Sequence, residues 1–298
     1  MKNASAGLYF LRLPDGVRIE HLPRGQAVVE VETRLCRATL SVQGAQVLKF
    51  ESRASNTPML WVSRDALFEP GRAIRGGIPL CWPWFNAHPD NPGLPSHGFA
   101  RNLDWRLESA DILPSGEARV VFCLEDSEQS RQWWPHAFKA TLVLTLGLQL
   151  QLAFSVSNTG DDAFDMSYAL HSYFPVSDLN NVRVEGLDGR CFIDQLQGNA
   201  RRMQSGPVQI AGETDAIYLD VPDTLILVDG NRMRRVTADN MPCAVVWNPG
   251  PHKAARMADL GDDEYAGMLC VERGRLADAA IRLDAGASHR SLLTLADF

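Results

Sequence analysis

Leu148-Gln-Leu-Gln-Leu-Ala-Phe-Ser-Val-Ser157 puts a large apolar residue on every even number from 148 to 156, with small or polar residues between. A period of two marks a strand with one buried face. Ala140-Thr-Leu-Val-Leu-Thr-Leu146 repeats the alternation just before it, and Gly147 between them signals a tight hairpin. Working outward, strands are predicted over residues 27–33, 37–42, 118–124, 164–174, 225–228, 244–247, 268–272 and 291–295. Helical periodicity is scarce, with short candidates at 127–134 and 252–259. Many short strands with Gly, Pro, Asn and Asp punctuation predict an all-β protein, a large antiparallel β-sandwich or barrel with a few short helices. Neither a low-complexity linker nor an internal repeat divides the chain, so a single domain over residues 1–298 is expected.

Bulk composition narrows the partners. Hydrophobic residues make up 45% of the 298 positions and charged residues 22%, enough for a packed core. The net charge of −7 repels phosphate backbones and anionic lipid, so nucleic-acid and membrane partners are not expected. An anionic small-molecule substrate would need arginines gathered locally against that field. The six cysteines, at 36, 81, 123, 191, 243 and 270, include no C-x-x-C pair and lie mostly in apolar runs. A reduced, cytoplasmic protein without disulfides is expected. The N-terminus MKNASAGLYFLRLPDG lacks an apolar stretch long enough for a signal peptide, and no later segment reaches membrane-span length.

One stretch breaks the strand pattern. Between Pro70 and Arg101 lie six prolines and five glycines, together with Trp82, Trp84, Phe85 and Phe99. Aromatic anchors among backbone-fixing residues describe an ordered loop that shapes a site, or one that covers the open end of a sandwich.

Several residues in this frame can carry chemistry. In 164–174 the even positions are bulky and core-like, whereas Asp165, Ser167, Ala169, His171 and Tyr173 on the odd phase are smaller or polar. His171 is therefore expected on a face that small neighbours leave open. There it can act as acid or base, or be an ordinary surface histidine. Glu272 follows the apolar run Met268-Leu-Cys-Val271. Burial at the end of such a strand would raise its pKa toward that of a general base, while pairing with Arg273 or Arg275 is the alternative. Arg72, Arg75 and Arg101 bracket the Pro/Gly-rich loop, and Arg75 precedes Gly76-Gly77, where backbone N–H groups can approach a ligand. Guanidinium forks suit phosphate oxygens, although each arginine also reads as solvated surface charge. His97 lies in the same region, and Asp215 could bind hydroxyls. G-x-S-x-G, phosphate-loop, dinucleotide and H-E-x-x-H patterns are missing, and the spacing of His88, His97 and His136 does not call for a metal.

Five segments together resemble a known family: Gly71-Arg-Ala-Ile-Arg-Gly-Gly-Ile-Pro-Leu-Cys-Trp-Pro-Trp-Phe85, His97-Gly-Phe-Ala-Arg-Asn102, Leu170-His-Ser-Tyr-Phe174, Glu213-Thr-Asp215 and Cys270-Val-Glu-Arg-Gly274. Their order and spacing are similar to the glucose-6-phosphate 1-epimerases, the hexose-phosphate branch of the aldose 1-epimerase (galactose mutarotase-like) group. The likeness runs from about residue 25 to the C-terminus. It implies a β-sandwich that binds sugar on an open concave face and interconverts α and β anomers of hexose 6-phosphates. It further implies His171 as the group protonating the ring oxygen and Glu272 as the base on the anomeric hydroxyl. His97 and Asp215 would contact sugar hydroxyls, and Arg75, Arg101 and more weakly Arg72 would contact phosphate. No cofactor or metal is implied, and a monomer is expected. The chain departs from the pattern at Asn86, where glycine is expected, and at Arg273 and Arg275 beside the glutamate. Those arginines could lower the Glu272 pKa or add anion affinity. Rival functions are a mutarotase for neutral aldoses, a non-catalytic carbohydrate-binding sandwich, and a protein that kept the fold without the chemistry.

Overall fold

The computed structural model describes residues 11–298. Most of the N-terminal stretch on which the absence of a leader was read, residues 1–10, lies outside them. Strands Phe138–Leu146 and Leu150–Asn158 pair as an antiparallel hairpin, with Leu146 opposite Leu150. The alternation around Gly147 is therefore register-true. Leu148 itself is not in the strand but at the hairpin tip, 52% exposed.

This hairpin lies within a nine-stranded sheet. Its other members include Arg106–Ile112, Ala118–Glu125, Thr224–Asp229, Arg232–Asp239 and Ser288–Asp297. An eight-stranded sheet runs in the order Ala200–Met203, Cys191–Asp194, Thr214–Tyr218, Cys243–Asn248, Met268–Arg275, Tyr168–Leu170, Leu80–Cys81, with Tyr173–Pro175 also paired to Met268–Arg275. Phe122, Leu142, Phe154 and Leu293 from the first sheet share one apolar core with Leu170, Phe174, Val246 and Val271 from the second. A four-stranded sheet, Val17–His21 through Val47–Ser52, extends that core. Every strand pair among the described residues is antiparallel. The all-β sandwich is the observed architecture. Helix is confined to short pieces. Glu128–Trp133 starts at a Ser127–Ser130 capping box, and Gly250–Ala254 is shorter than the predicted 252–259. None of the described helices is long and apolar enough to cross a membrane.

Two differences from the sequence reading concern the strands, and the second bears on the site. Strand Arg232–Asp239 was missed because one of its inward positions is Arg234, whose charge hides the alternation. Residues 164–174 do not form one strand but three, Phe164–Met166, Tyr168–Leu170 and Tyr173–Pro175. The Pro/Gly-rich loop interrupts them. Ser167 N–H donates to the Pro83 carbonyl at 2.9 Å and His171 N–H to the Pro79 carbonyl at 3.0 Å. Backbone donors met by a loop rather than a regular ladder let the strand bend without leaving them unpaired.

Candidate active site

The eight-stranded sheet has a second face, opposite the main core. Side-chain alternation puts Cys81, Ala169, Tyr173, Ile217, Val245, Trp247 and Cys270 on it as a separate apolar cluster. As the phase of 164–174 predicts, Tyr168, Leu170 and Phe174 enter the main core, and His171 stands with Tyr173 on the other side. The expectation that small neighbours leave this face open is overturned. Tyr173 stacks on the His171 ring with centroids 4.6 Å apart, and Trp247 and His97 stand edge-on at 6.0 and 6.2 Å. His171 is 6% exposed.

Register brings the imidazole and carboxylate together. Leu170 pairs with Arg273 and Tyr173 with Cys270, so His171 and Ser172 between them fall opposite Glu272 and Val271. Directly opposed residues on one face have Cβ atoms about 5 Å apart. The result is His171 Nε2 at 3.3 Å from Glu272 Oε1. Glu272 is 1% exposed and lies within strand Met268–Arg275, not at its end. His171 Nδ1 and Glu272 Oε2 are both buried without a hydrogen-bond partner. Burial, with His97, Arg101 and Arg75 adding, holds the His171 pKa well below its ordinary value. Burial and the nearby Asp215 carboxylate hold Glu272 well above the carboxylate range, against an opposing Arg101. Both shifts favour a neutral imidazole beside a carboxylic acid. That state and the imidazolium–carboxylate state hold the same number of protons, so one proton can pass between the two groups without a change in net charge.

Flanking arginines do not join the pair. Alternation turns Arg273 to the inner face, 1% exposed, where it donates to the carbonyls of Asp223, Met241 and Cys243 at 2.7–3.3 Å. Arg275 donates to Ala279 O and Asn240 Oδ1. Neither lowers the Glu272 pKa, and both are spent on structure. The alternative of an ion pair between them and Glu272 falls with this.

His97 and Arg101 are presented by a pinned turn. Phe99 and Ala100 N–H both donate to the Trp82 carbonyl, and Gly98 adopts φ +70°. A Cβ on Gly98 would sit 2.0 Å from Trp82 O, which explains the glycine. His97 Nδ1 accepts from Asn86 N–H at 3.2 Å, leaving Nε2 as the protonated nitrogen. Burial, then the charges of Arg101, Arg75 and Lys253, push His97 down to about 3. Arg101 donates to Ser96 O at 3.0 Å, its Nε is buried without a partner, and it has no carboxylate partner among the described residues.

The other arginines differ. Arg75 is clamped, with its Nε and Nη2 on both Asp259 oxygens at 3.0–3.2 Å and Nη1 on the Tyr173 hydroxyl at 3.0 Å. Arg72 is 61% exposed and faces Glu69 at 3.7 Å. The charges of Arg75 and Arg101 act on His97 and His171, and that of Arg72 does not. The adjacent glycines were expected to offer N–H groups to a ligand. Gly77 N–H instead donates to Trp61 O, and a Cβ there would meet Val47 O at 2.2 Å, so this glycine serves close packing.

Asp215 shares the face through the register Asp215–Trp247–Cys270–Tyr173 across neighbouring strands. Its Oδ1 accepts from Gln195 Nε2, and Lys253 Nζ lies 3.8 Å from Oδ2. Burial raises its pKa, opposed by Gln195 and Lys253. Sequence reasoning missed Tyr173 as a stacking partner, Trp247, Gln195, Lys253 and Asp259. Tyr173 lay in the quoted Leu170–Phe174 motif; for the others the chain shows no local signal. Among the described residues no three His, Cys, Asp or Glu converge as a metal-ligand group. A separate cavity of about 670 Å3, lined by Leu22, Leu48, Val62 and Phe68 with Arg24, Glu30, Lys49 and Asp65, lies on the four-stranded sheet and contains neither His171 nor Glu272.

The family model described as aldose 1-epimerase matches residues 27–296. A protein of Cenchrus ciliaris provisionally named glucose-6-phosphate 1-epimerase is 36% identical over 281 residues, covering 91% of this chain and 84% of that protein. One from Escherichia coli K12 with the same provisional name is 36% identical over 82% of each chain. A crystal structure provisionally described as a mutarotase, from Salmonella typhimurium, superposes with a TM-score of 0.89 at 30% identity and covers 99% of both chains.

Proposed function

The chain belongs to the aldose 1-epimerase family, and on that premise we propose that it interconverts the α and β anomers of hexose 6-phosphates, glucose 6-phosphate first among them. One observation carries the assignment of the chemistry: a buried imidazole and a buried carboxyl 3.3 Å apart, each keeping one unpartnered polar atom.

Glu272 as carboxylate takes the proton from O1 of the pyranose while His171 as imidazolium protonates the ring oxygen O5. The C1–O5 bond breaks, its electrons go to O5, and C1 becomes an aldehyde. The pair is then carboxylic acid and neutral imidazole. Rotation about C1–C2 presents the other carbonyl face. The O5 hydroxyl attacks C1 as His171 takes back its proton, and Glu272 protonates the carbonyl oxygen. Burial favours the neutral pair, which is the form facing the open-chain aldehyde, and so stabilises the state that free sugar reaches rarely. Each proton transfer is worth about 10²–10⁴-fold.

His97, with its proton on Nε2, donates to a sugar hydroxyl, and Asp215 accepts from another. Arg101 is the guanidinium best placed for the phosphate because no carboxylate among the described residues neutralises it. Arg75 adds a hydrogen-bonding edge beside it, and Arg72 a weaker outer charge. The cancellation of Arg75 by Asp259 favours a second reading, a mutarotase for neutral aldoses. The test is magnetisation transfer between the C1 signals of the two anomers at equilibrium, on glucose 6-phosphate and on galactose. Faster exchange of the phosphate supports the first reading, faster exchange of galactose the second, and no effect on either sinks both.

A further inference from the structure

Asn86 ties together two of the groups that face the sugar. Its backbone is left-handed, φ +63°, a conformation asparagine tolerates better than most residues. Its N–H donates to His97 Nδ1 at 3.2 Å, and its carbonyl accepts from His97 N–H at 2.7 Å. Its side chain reaches elsewhere. Asn86 Nδ2 donates to Gln195 Oε1 at 2.5 Å, and Gln195 Nε2 donates to Asp215 Oδ1. Gln195 opens a short 3-10 turn, Gln195–Gln197, fixed at its start by Asp194 accepting from Leu196 N–H at 3.1 Å.

The direction of this relay matters. An ionised Asp215 offers only acceptors, so it needs the NH2 end of the Gln195 amide. Left alone, an amide can turn its oxygen to either side. The Asn86 donor on Oε1 rewards one orientation and would meet the NH2 group in the other. We propose that Asn86 and Gln195 form a positioning pair that holds the Asp215 carboxylate in the orientation that accepts one particular sugar hydroxyl. This rests on the reading of Asp215 as a sugar contact given above. The tie also gives asparagine a role at a position where the sequence pattern leads one to expect glycine. Glycine supplies the backbone turn and the N–H to His97, and asparagine adds the link to Gln195.

The pair lines a cavity of about 430 Å3 with Phe85, Ser167, Ile193 and Asn199. Truncation there leaves room for water, so the surroundings need not collapse. Asn86→Gly keeps the left-handed turn and the bond to His97 and deletes only the tie. The expected result is a roughly 3- to 10-fold rise in KM for glucose 6-phosphate, the scale of one lost orienting hydrogen bond, with kcat within about twofold. Gln195→Met, which removes both ends of the relay by another route, is expected to give the same split. Hexose 6-phosphates lacking the hydroxyl at C2, C3 or C4 in turn supply the decisive readout. For the sugar that lacks the hydroxyl Asp215 accepts, Asn86→Gly is expected to make no further difference, while the others keep the full effect. Unchanged KM in both variants, or equal losses for every deoxy sugar, overturns the proposal. Failure of the wild-type protein to accelerate anomer exchange on any aldose overturns the reading beneath it instead.

Discussion

Glu272→Gln isolates the proposed base. The amide keeps the shape of a side chain that is 1% exposed and leaves a polar group against His171 Nε2, 3.3 Å away, but it cannot accept the O1 proton. Loss of one proton transfer is worth about 10²–10⁴-fold in kcat, or roughly 2.7–5.5 kcal/mol of barrier. Because the change is confined to the transition state, KM is expected to stay within about threefold. The assay is two-dimensional exchange NMR on glucose 6-phosphate. Stability supplies an independent check with a definite sign. The folded Glu272 pKa lies above its unfolded value. Its contribution is therefore fully present below the unfolded carboxylate pKa, about 4.3, and is lost as pH rises through the folded value. Glutamine has no such loss, so the variant should gain in melting temperature over wild type as pH rises from about 5 to 8. A near wild-type exchange rate would refute the assignment of the base. A stability difference independent of pH would refute the burial argument behind it.

Arg101→Ala is expected to raise KM for glucose 6-phosphate at least about tenfold and for the free sugar little, since a charge-assisted contact is worth about 1.5–3 kcal/mol. Arg75→Ala should also raise KM for the phosphate more than for the free sugar. It should in addition cost about 2–3 kcal/mol in urea unfolding, because Asp259, 19% exposed, loses its partner. Equal KM effects on both sugars would count against a phosphate role for either arginine. Folding stability should fall in acid. His97 and His289 are held by burial at about 3 and about 4, below their unfolded values. Their contribution is full above about pH 6.5 and lost as pH falls through the folded values, with about 2 kcal/mol from His97 gone by pH 4.5. His97→Asn should remove that share, as measured by denaturant unfolding at the two pH values. Gly98→Ala puts a Cβ 2.0 Å from Trp82 O at a φ of +70°, and a loss of at least about 3 kcal/mol is expected by thermal unfolding. A variant as stable as wild type would show that the turn is not pinned as described.

Much of this protein is written locally in the chain. The period of two over 148–157 and 140–146 gave the hairpin and its buried faces, and the same arithmetic put His171 on the side away from the main core, because strand alternation needs only near neighbours. The family likeness carried the fold and the reaction class. Tertiary structure decided which charges count. Asp259 cancels Arg75 across 184 positions, Asn86 reaches Asp215 through Gln195, and Arg273 turns from Glu272 to cap three carbonyls. It also decided that His171 and Glu272 oppose each other, since strand register is set by pairings between distant segments. Alternation fixes which face a side chain takes; only the assembled sheet fixes what it meets there.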